Sequence, residues 1–267
     1  MNEIQTTMVT CAGGMPAFVA SPIGIAKAPV IVLLHERYGL VQHTKDLAAR
    51  HAREGHVCIA ADYFYKHPDQ DALHRGEAGY DLTDPEALEY METAIAEVKH
   101  VECADLGRIA AMGVCQTGRH PLVLAAHRPL AAALVWYGAA QDREWKVNNR
   151  YPVALDILIE SVECPVLGMF GEVDHIISVD HVRKFRACLE RFGKSFHVEI
   201  FGGAPHGWLN DTMPGRYRLE SAEAAWRTQR AFLAHAFEPD RDGSSIRQSY
   251  KASISPSYDF SKNVRYE

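Results

Sequence analysis

Short apolar runs alternate with segments of helical periodicity along most of the chain. The runs are rich in Val, Ile, Leu and Ala and are bounded by polar or turn residues; they cover 29–34, 56–61, 108–112, 131–136, 165–170 and 196–201. Because they are continuously apolar, they predict strands that are buried on both faces, as in a parallel sheet. The pattern therefore predicts an α/β fold, a mostly parallel central sheet with helices on both faces.

Helical periodicity lies between these runs. Three segments predict helices: 44–54, 84–101 and 179–192. Asp84 is predicted as the N-cap of the second helix, with Pro85 in its first turn. The first and third helices should stop at Gly55 and Gly193, since glycine is the usual residue after a helix end. Residues 4–20 predict an antiparallel pair of strands at the sheet edge.

Charge and composition narrow the function classes. The net charge of −6 comes from 28 basic and 34 acidic residues that are scattered along the chain, which argues against nucleic acid or an anionic membrane as the partner. The amino-terminal segment lacks a secretory signal pattern, and no apolar stretch approaches the roughly 20 residues of a membrane span. The six cysteines form no CxxC pair. We therefore expect a cytoplasmic protein with reduced thiols, either a monomer or a homodimer.

The amino-acid composition changes near the end of the chain. Residues 1–238 are predicted to form a single domain. Residues 239–267 are polar, serine-rich and without helical period, which alone resembles a disordered tail. We expect this segment to be an arm that packs on the body or on a second subunit.

The segment Arg108-Ile-Ala-Ala-Met-Gly-Val-Cys-Gln-Thr-Gly118 carries the main chemical signal. A strand that leads into a nucleophile flanked by small residues, and then into a helix, is the layout of a nucleophile elbow, with Cys115 as the nucleophile. Thr117 departs from the usual glycine and is expected to make a strained turn less comfortable. The alternative is that Cys115 is an ordinary buried core cysteine, and the local motif alone leaves both interpretations open.

Two further segments favour the catalytic interpretation. Asp174 follows the predicted strand 165–170, and His206 lies in a glycine-rich loop after the next strand. Nucleophile, acid and histidine therefore occur in the chain order of α/β-hydrolases, each at the carboxyl end of a strand.

At these residues the sequence resembles the dienelactone hydrolase family, from about residue 15 to 236. Gly113, Cys115 and Gly118 match the family elbow. The segment Leu34-His-Glu-Arg-Tyr-Gly39 and the tripeptide Trp136-Tyr-Gly138 are also similar to family motifs. The resemblance implies an esterase or lactonase that works through an acyl-thioester, without a cofactor or a metal.

The resemblance and the chemistry together imply roles for the site residues. Cys115 would attack the acyl carbon, His206 would exchange its proton, and Asp174 would orient His206. The backbone N–H groups of Gln116 and Arg37 are the expected oxyanion donors. The resemblance also implies that Glu36 holds Cys115 as a resting thiol; alternatively, Glu36 pairs with Arg119 or Arg37 and only shapes its loop.

The substrate is left open by the sequence, beyond a small ester or lactone. Tyr38, Tyr137 and Trp208 would make the pocket aromatic. Arg75 with Tyr80 is similar to a family Arg/Tyr pair with altered spacing, and Arg37 and Arg119 could add cationic character or be surface residues. No arginine follows shortly after His206, so the resemblance does not settle whether dienelactone itself is accepted.

Four other interpretations compete with this one. A metal hydrolase is disfavoured because His35/His43 and His51/His56 lack helical i, i+4 spacing and an HExxH context. Nucleotide-dependent classes lack a GxGxxG or P-loop motif. A catalytically silent hydrolase fold used for binding, and a promiscuous hydrolase of activated esters, both stay open.

Overall fold

A single nine-stranded sheet forms the centre of the protein in a computed structural model, which describes residues 2–239 and 245–255. Numbered in chain order, strands β1 to β9 are Ile4–Thr10, Pro16–Pro22, Ala28–Leu34, Val57–Ala61, Ala104–Val114, Ala132–Trp136, Val166–Gly171, Phe196–Phe201 and Gln248–Ala252. They lie in the order β1-β2-β4-β3-β5-β6-β7-β8-β9. The pairs β1–β2 and β2–β4 are antiparallel, and every other pair is parallel. The expected edge hairpin and the mostly parallel sheet are both confirmed.

Helices cover both faces of the sheet, as the continuous apolar runs predict. Helices α1 to α7 are Gln42–Arg53, Gln70–His74, Asp84–Val98, His120–His127, Leu155–Ser161, Val179–Arg191 and Leu219–Ala236. Side chains of α1 and α7 share one core with alternate residues of the strands, while α2 to α6 contribute to the cores on the other face. Strands β3, β4, β6, β7 and β8 therefore bury both rows of their side chains, which accounts for their unbroken apolar sequence.

Local chemistry explains the helix boundaries. Glycines with positive φ follow α1 and α6, Gly55 at +96° and Gly193 at +60°, as expected for helix ends. The predicted N-cap of α3 is wrong: Thr83 caps the helix by accepting a hydrogen bond from the Glu86 N–H. Asp84 instead lies in the first turn, and its buried carboxylate is used elsewhere.

The chain after α7 returns to the sheet. Residues 248–252 form β9 on the outer edge of β8, and Lys251 places its ammonium 2.5 Å from the buried carboxylate of Glu199. The part of the arm seen here therefore lies on the body of its own chain, while its remaining residues fall outside the described ranges. The division at residue 238 stays a prediction.

None of the helices in the described ranges is both long and apolar enough to cross a membrane.

Candidate active site

The turn after β5 holds Cys115 in a strained conformation. Its φ is +58°, which is uncommon for a residue with a Cβ and is typical of functional sites. A Cβ on Gly113 would lie 2.3 Å from the Thr117 carbonyl oxygen, and one on Gly118 would lie 2.5 Å from Cα of Gly138. Small residues are therefore required around the cysteine because backbone segments touch there.

Thr117 supports this turn instead of straining it, which corrects the expectation from the sequence. Its hydroxyl accepts a hydrogen bond from the Val114 N–H at 3.1 Å and donates to the carbonyl of His35 at 2.9 Å. The side chain is fully buried. Thr117 therefore ties the elbow to the loop after β3, a role that glycine cannot fill.

The predicted nucleophile, base and acid lie in line. Cys115 Sγ is 3.0 Å from His206 Nε2, and His206 Nδ1 is 2.8 Å from Asp174 Oδ2. The other carboxylate oxygen of Asp174 accepts from the N–H groups of Ile176 and Ile177 at 2.8 and 2.9 Å. Asp174 is thus fixed by the backbone while it orients the imidazole.

The imidazole of His206 is held in a charged environment. Burial alone would lower its pKa, but the negative charges of Cys115 and Asp174, with the hydrogen bonds to both, raise that pKa well above its usual value. The ring of Tyr137 packs edge-on against it, with ring centroids 5.3 Å apart. This environment favours the imidazolium form of His206.

Glu36 bonds to neither of the arginines considered from the sequence. Its Oε1 accepts from the Tyr137 hydroxyl at 3.0 Å and its Oε2 from the Asn210 amide at 2.6 Å. The Arg37 guanidinium donates instead to the carbonyls of Gly76 and Ala78. Glu36 therefore joins the loops after β3, β6 and β8, whereas its predicted action on the resting thiol stays a prediction.

The loop after β3 orients the peptide unit between Glu36 and Arg37. His35 Nε2 accepts from the Tyr63 N–H at 2.9 Å, so its proton lies on Nδ1, which donates to the Glu36 carbonyl at 2.7 Å. Since a peptide unit is planar and trans, fixing this carbonyl turns the Arg37 N–H to the opposite side. No acceptor in the described ranges takes this N–H or that of Gln116.

Arg119 does not reach a substrate pocket. It is fully buried, and its guanidinium binds the carboxylate of Asp84 at 2.9 Å and the carbonyls of Glu144 and Val153. Asp84 comes from the start of α3, so the pair joins that helix to α4. Arg119 is therefore neither the substrate ligand nor the surface arginine that the sequence predicts, because it forms an internal ion pair with Asp84.

Two of the three predicted pocket aromatics are core residues. Trp208 and Tyr137 are fully buried, and Trp208 stacks on Trp136 with centroids 5.4 Å apart. Tyr137 reaches the site through its hydroxyl on Glu36. Tyr80 contributes through its backbone, because its carbonyl accepts from the Gln116 side chain at 2.5 Å while its hydroxyl donates to Glu86.

Tyr38 and Arg75 line a cavity between the loops that follow β3 and β8. The cavity has a volume of about 350 Å³ and also includes Asn210, which binds Glu36. Arg75 is paired with Glu77 at 2.8 Å and is largely exposed. The cavity wall is therefore part aromatic and part polar.

Sequence reasoning missed three residues around the site. Glu172, two residues before Asp174, accepts from the Gly203 N–H at 2.7 Å and from the Ser255 N–H, and so supports the loop that carries His206. Asn210 anchors Glu36. Arg216 approaches the same loop, with its Cδ 3.5 Å from a Cβ built on Gly207. Only Glu172 had a sequence signal, its place at the end of β7.

Comparisons with known proteins agree with this architecture. The model of the dienelactone hydrolase family matches residues 15–237. A Yersinia pestis protein that carries the provisional name carboxymethylenebutenolidase is 29% identical over 231 residues, covering 84% of each chain. A crystal structure from Klebsiella pneumoniae, provisionally named a dienelactone hydrolase, has a TM-score of 0.74 at 25% identity, covering 88% of this chain and 99% of that one. A dienelactone hydrolase-like promiscuous phosphotriesterase from metagenomic libraries has a TM-score of 0.73 at 19% identity, with the same coverage, and supports the fold alone.

Proposed function

The chain belongs to the dienelactone hydrolase family, and from that membership and the geometry around Cys115 we propose an esterase or lactonase that works through an acyl-thioester on this cysteine. The observation that carries the proposal is the alignment of Cys115 Sγ, the His206 imidazole and Asp174 at 3.0 and 2.8 Å. Both distances are within hydrogen-bond reach, as the nucleophile, base and orienting acid of such an enzyme must be.

Acylation begins from the thiolate and the imidazolium. The sulfur attacks the acyl carbon, an S–C bond forms, and the carbonyl oxygen becomes an oxyanion. The N–H groups of Gln116 and Arg37 would bind this oxyanion, since both lack another acceptor in the described ranges. Collapse breaks the bond to the leaving oxygen, which takes the proton from His206.

Deacylation uses the same groups in reverse. Neutral His206 takes a proton from water, whose oxygen attacks the thioester carbon. The second oxyanion collapses, the S–C bond breaks, and the carboxylic acid leaves. The thiolate and the imidazolium are thereby restored.

Two arginine side chains near Tyr38 are candidates for binding the substrate. The charges of both Arg37 and Arg216 act on the Tyr38 hydroxyl, although burial and then Glu36 raise the pKa of that group. The Arg37 guanidinium is engaged by backbone carbonyls, whereas Arg216 has no acceptor in the described ranges. We infer that Arg216 receives a carboxylate of the substrate. Arg216→Ala should raise KM for a carboxylate-bearing lactone and leave p-nitrophenyl acetate unaffected; equal effects on both would contradict this assignment.

The first experiment measures hydrolysis of p-nitrophenyl acetate and a small lactone panel, with chelator present, by the wild type, Cys115→Ala and Cys103→Ala. Cys103 is a matched control because it is also a half-buried free thiol. Loss of activity in the first variant alone, with one acyl group detected on the wild-type protein by mass spectrometry, supports the proposal. Full activity of Cys115→Ala refutes the nucleophile, and an inactive wild type favours the binding-protein alternative.

A further inference from the structure

Three side chains that can ligate a metal converge on the turn between α1 and β4. They are His51, Glu54 and His56, and one ligating atom from each lies within 4.8 Å of the other two. Their sequence spacing is not that of a helical pair; the turn at Gly55, with φ +96°, brings them together. The turn precedes β4, whereas Cys115 follows β5. Since both strands are parallel to β3, the two sites lie at opposite ends of the strands.

Each of the three side chains has a buried polar atom without a partner. His51 Nδ1, Glu54 Oε2 and His56 Nδ1 have no hydrogen-bond partner in the described ranges. His51 is fully buried, and the Glu54 side chain is only 8% exposed. A buried polar atom left unpaired costs about 1–3 kcal/mol, so three of them on side chains of one cluster require an explanation.

The surroundings leave these atoms available and hold them in place. The His51 ring packs edge-on against Trp226, and its Nε2 faces the sulfur of Met112 at 3.4 Å, which leaves Nδ1 free. The His56 N–H donates to the carbonyl of His51 at 3.1 Å. The turn therefore fixes the backbone between the two histidines.

We propose that His51 Nδ1, His56 Nδ1 and Glu54 Oε2 bind a divalent first-row transition ion, represented by Zn²⁺, with water completing the coordination. Two imidazoles and a carboxylate are a ligand set that such ions favour, whereas Ca²⁺ and Mg²⁺ prefer oxygen donors. Ligand bonds of about 2.0–2.2 Å require the donors to approach one another by roughly 1 Å. The Glu54 side chain can supply this movement, because its ion-pair contacts within residues 2–239 and 245–255 are no shorter than 3.9 Å.

The neighbouring charges set the strength of the site. Glu54 Oε1 lies 3.9 Å from Arg50 Nε and 3.9 Å from Arg230 Nη1. Two guanidinium groups near the carboxylate oppose a divalent cation, so the affinity should be weaker than that of four-ligand structural zinc sites. Bound metal would join the end of α1 to the start of β4 and stabilise the fold by mass action.

The test is a Zn²⁺ titration of untagged, chelator-treated protein, read by calorimetry and by the melting temperature. All variants carry Cys115→Ser, which removes the active-site thiol as a competing ligand. Glu54→Gln and His56→Gln test the site, and His100→Gln is the control because it removes an exposed histidine. Co²⁺ absorption bands report the coordination geometry without reference to activity.

Binding of one Zn²⁺ and a metal-dependent rise in melting temperature are expected in the parent and in the control. Both should be lost in Glu54→Gln and weakened at least tenfold in His56→Gln, while circular dichroism shows both variants folded. Absence of binding in the parent, or unchanged binding in folded Glu54→Gln, overturns the proposal and leaves the histidine pair as core packing.

Discussion

Asp174→Asn tests the proposed orienting function of Asp174 and keeps the hydrogen bonds that hold this side chain in place. The asparagine Oδ1 can still accept from the N–H groups of Ile176 and Ile177, which Asp174 now binds at 2.8 and 2.9 Å. Its NH₂ group, however, would face His206 Nδ1. A donor there favours the tautomer with the proton on Nε2, which cannot accept a proton from Cys115 or from water.

The magnitude follows from the hydrogen bond that is reversed. The same change in a serine-based triad lowers kcat about 10⁴-fold. A thiol is a stronger acid than an alcohol, so its deprotonation depends less on the histidine, and we expect a loss of about 10²–10³-fold, or roughly 3–4 kcal/mol. The pKa of His206 should also fall, since a neutral amide replaces one of the charges that raise it.

The assay compares kcat/KM of the wild type, Asp174→Asn and Asp180→Asn on p-nitrophenyl acetate. Asp180 is an exposed acid paired with Arg183 in the first turn of α6 and is the matched control. Iodoacetamide alkylation of Cys115 at neutral pH should be slower in Asp174→Asn, because loss of the Asp174 charge makes the His206 imidazolium beside the sulfur less stable. A loss below threefold, or an equal loss in the control, would refute the assigned role of Asp174.

Other predictions concern stability. Gly118→Ala should destabilise the protein by about 2 kcal/mol or more and impair activity, because its Cβ would lie 2.5 Å from backbone. The control Gly215→Ala places its Cβ in open space and should change the free energy of unfolding in urea by less than about 0.5 kcal/mol. Equal destabilisation by the two variants would contradict this prediction. Thr117→Val should cost about 1–3 kcal/mol by unpairing buried backbone groups, and Thr117→Ser should retain most of the stability; two equally stable variants would count against the hydroxyl. Burial would raise the pKa of Glu199, but hydrogen bonds, including that from Lys251, lower it to about 2, so its contribution is present above its ordinary pKa and is lost as pH falls towards 2. Lys251→Met should therefore move the acid-unfolding midpoint to higher pH, and an unchanged midpoint would exclude this contribution.

The sequence predicted what depends on local pattern. All six apolar runs are strands because burial on both faces leaves a clear mark on composition. Helix α7 was not predicted, since its buried face consists largely of alanines with Trp226 and Leu233, which gives a weak periodic signal. Strand β9 is polar and exposed, and it exists because β8 offers an edge to pair with.

In the candidate site, too, local sequence pattern predicts some features, whereas others depend on contacts between distant residues. The order of Cys115, Asp174 and His206 is readable because each follows a recognisable strand. The ion pair of Arg119 with Asp84 depends on residues 35 positions apart meeting in the core, which no local pattern contains. The elbow motif alone predicts that Thr117 is less favourable than glycine. Its hydrogen bond to the His35 carbonyl lies in the loop after β3, which the motif does not include.

The pairing of β9 with β8 makes the order of synthesis matter. β9 leaves the ribosome after every other described strand, so a nascent chain exposes β8 as an open edge on which another chain can pair. Until then Glu199 lacks Lys251 and Glu172 lacks the Ser255 N–H, and Glu172 also holds the loop of His206. An incomplete or clipped chain therefore leaves β8 open to pairing with another chain, and it removes the Ser255 N–H from Glu172, the residue that supports the loop of His206.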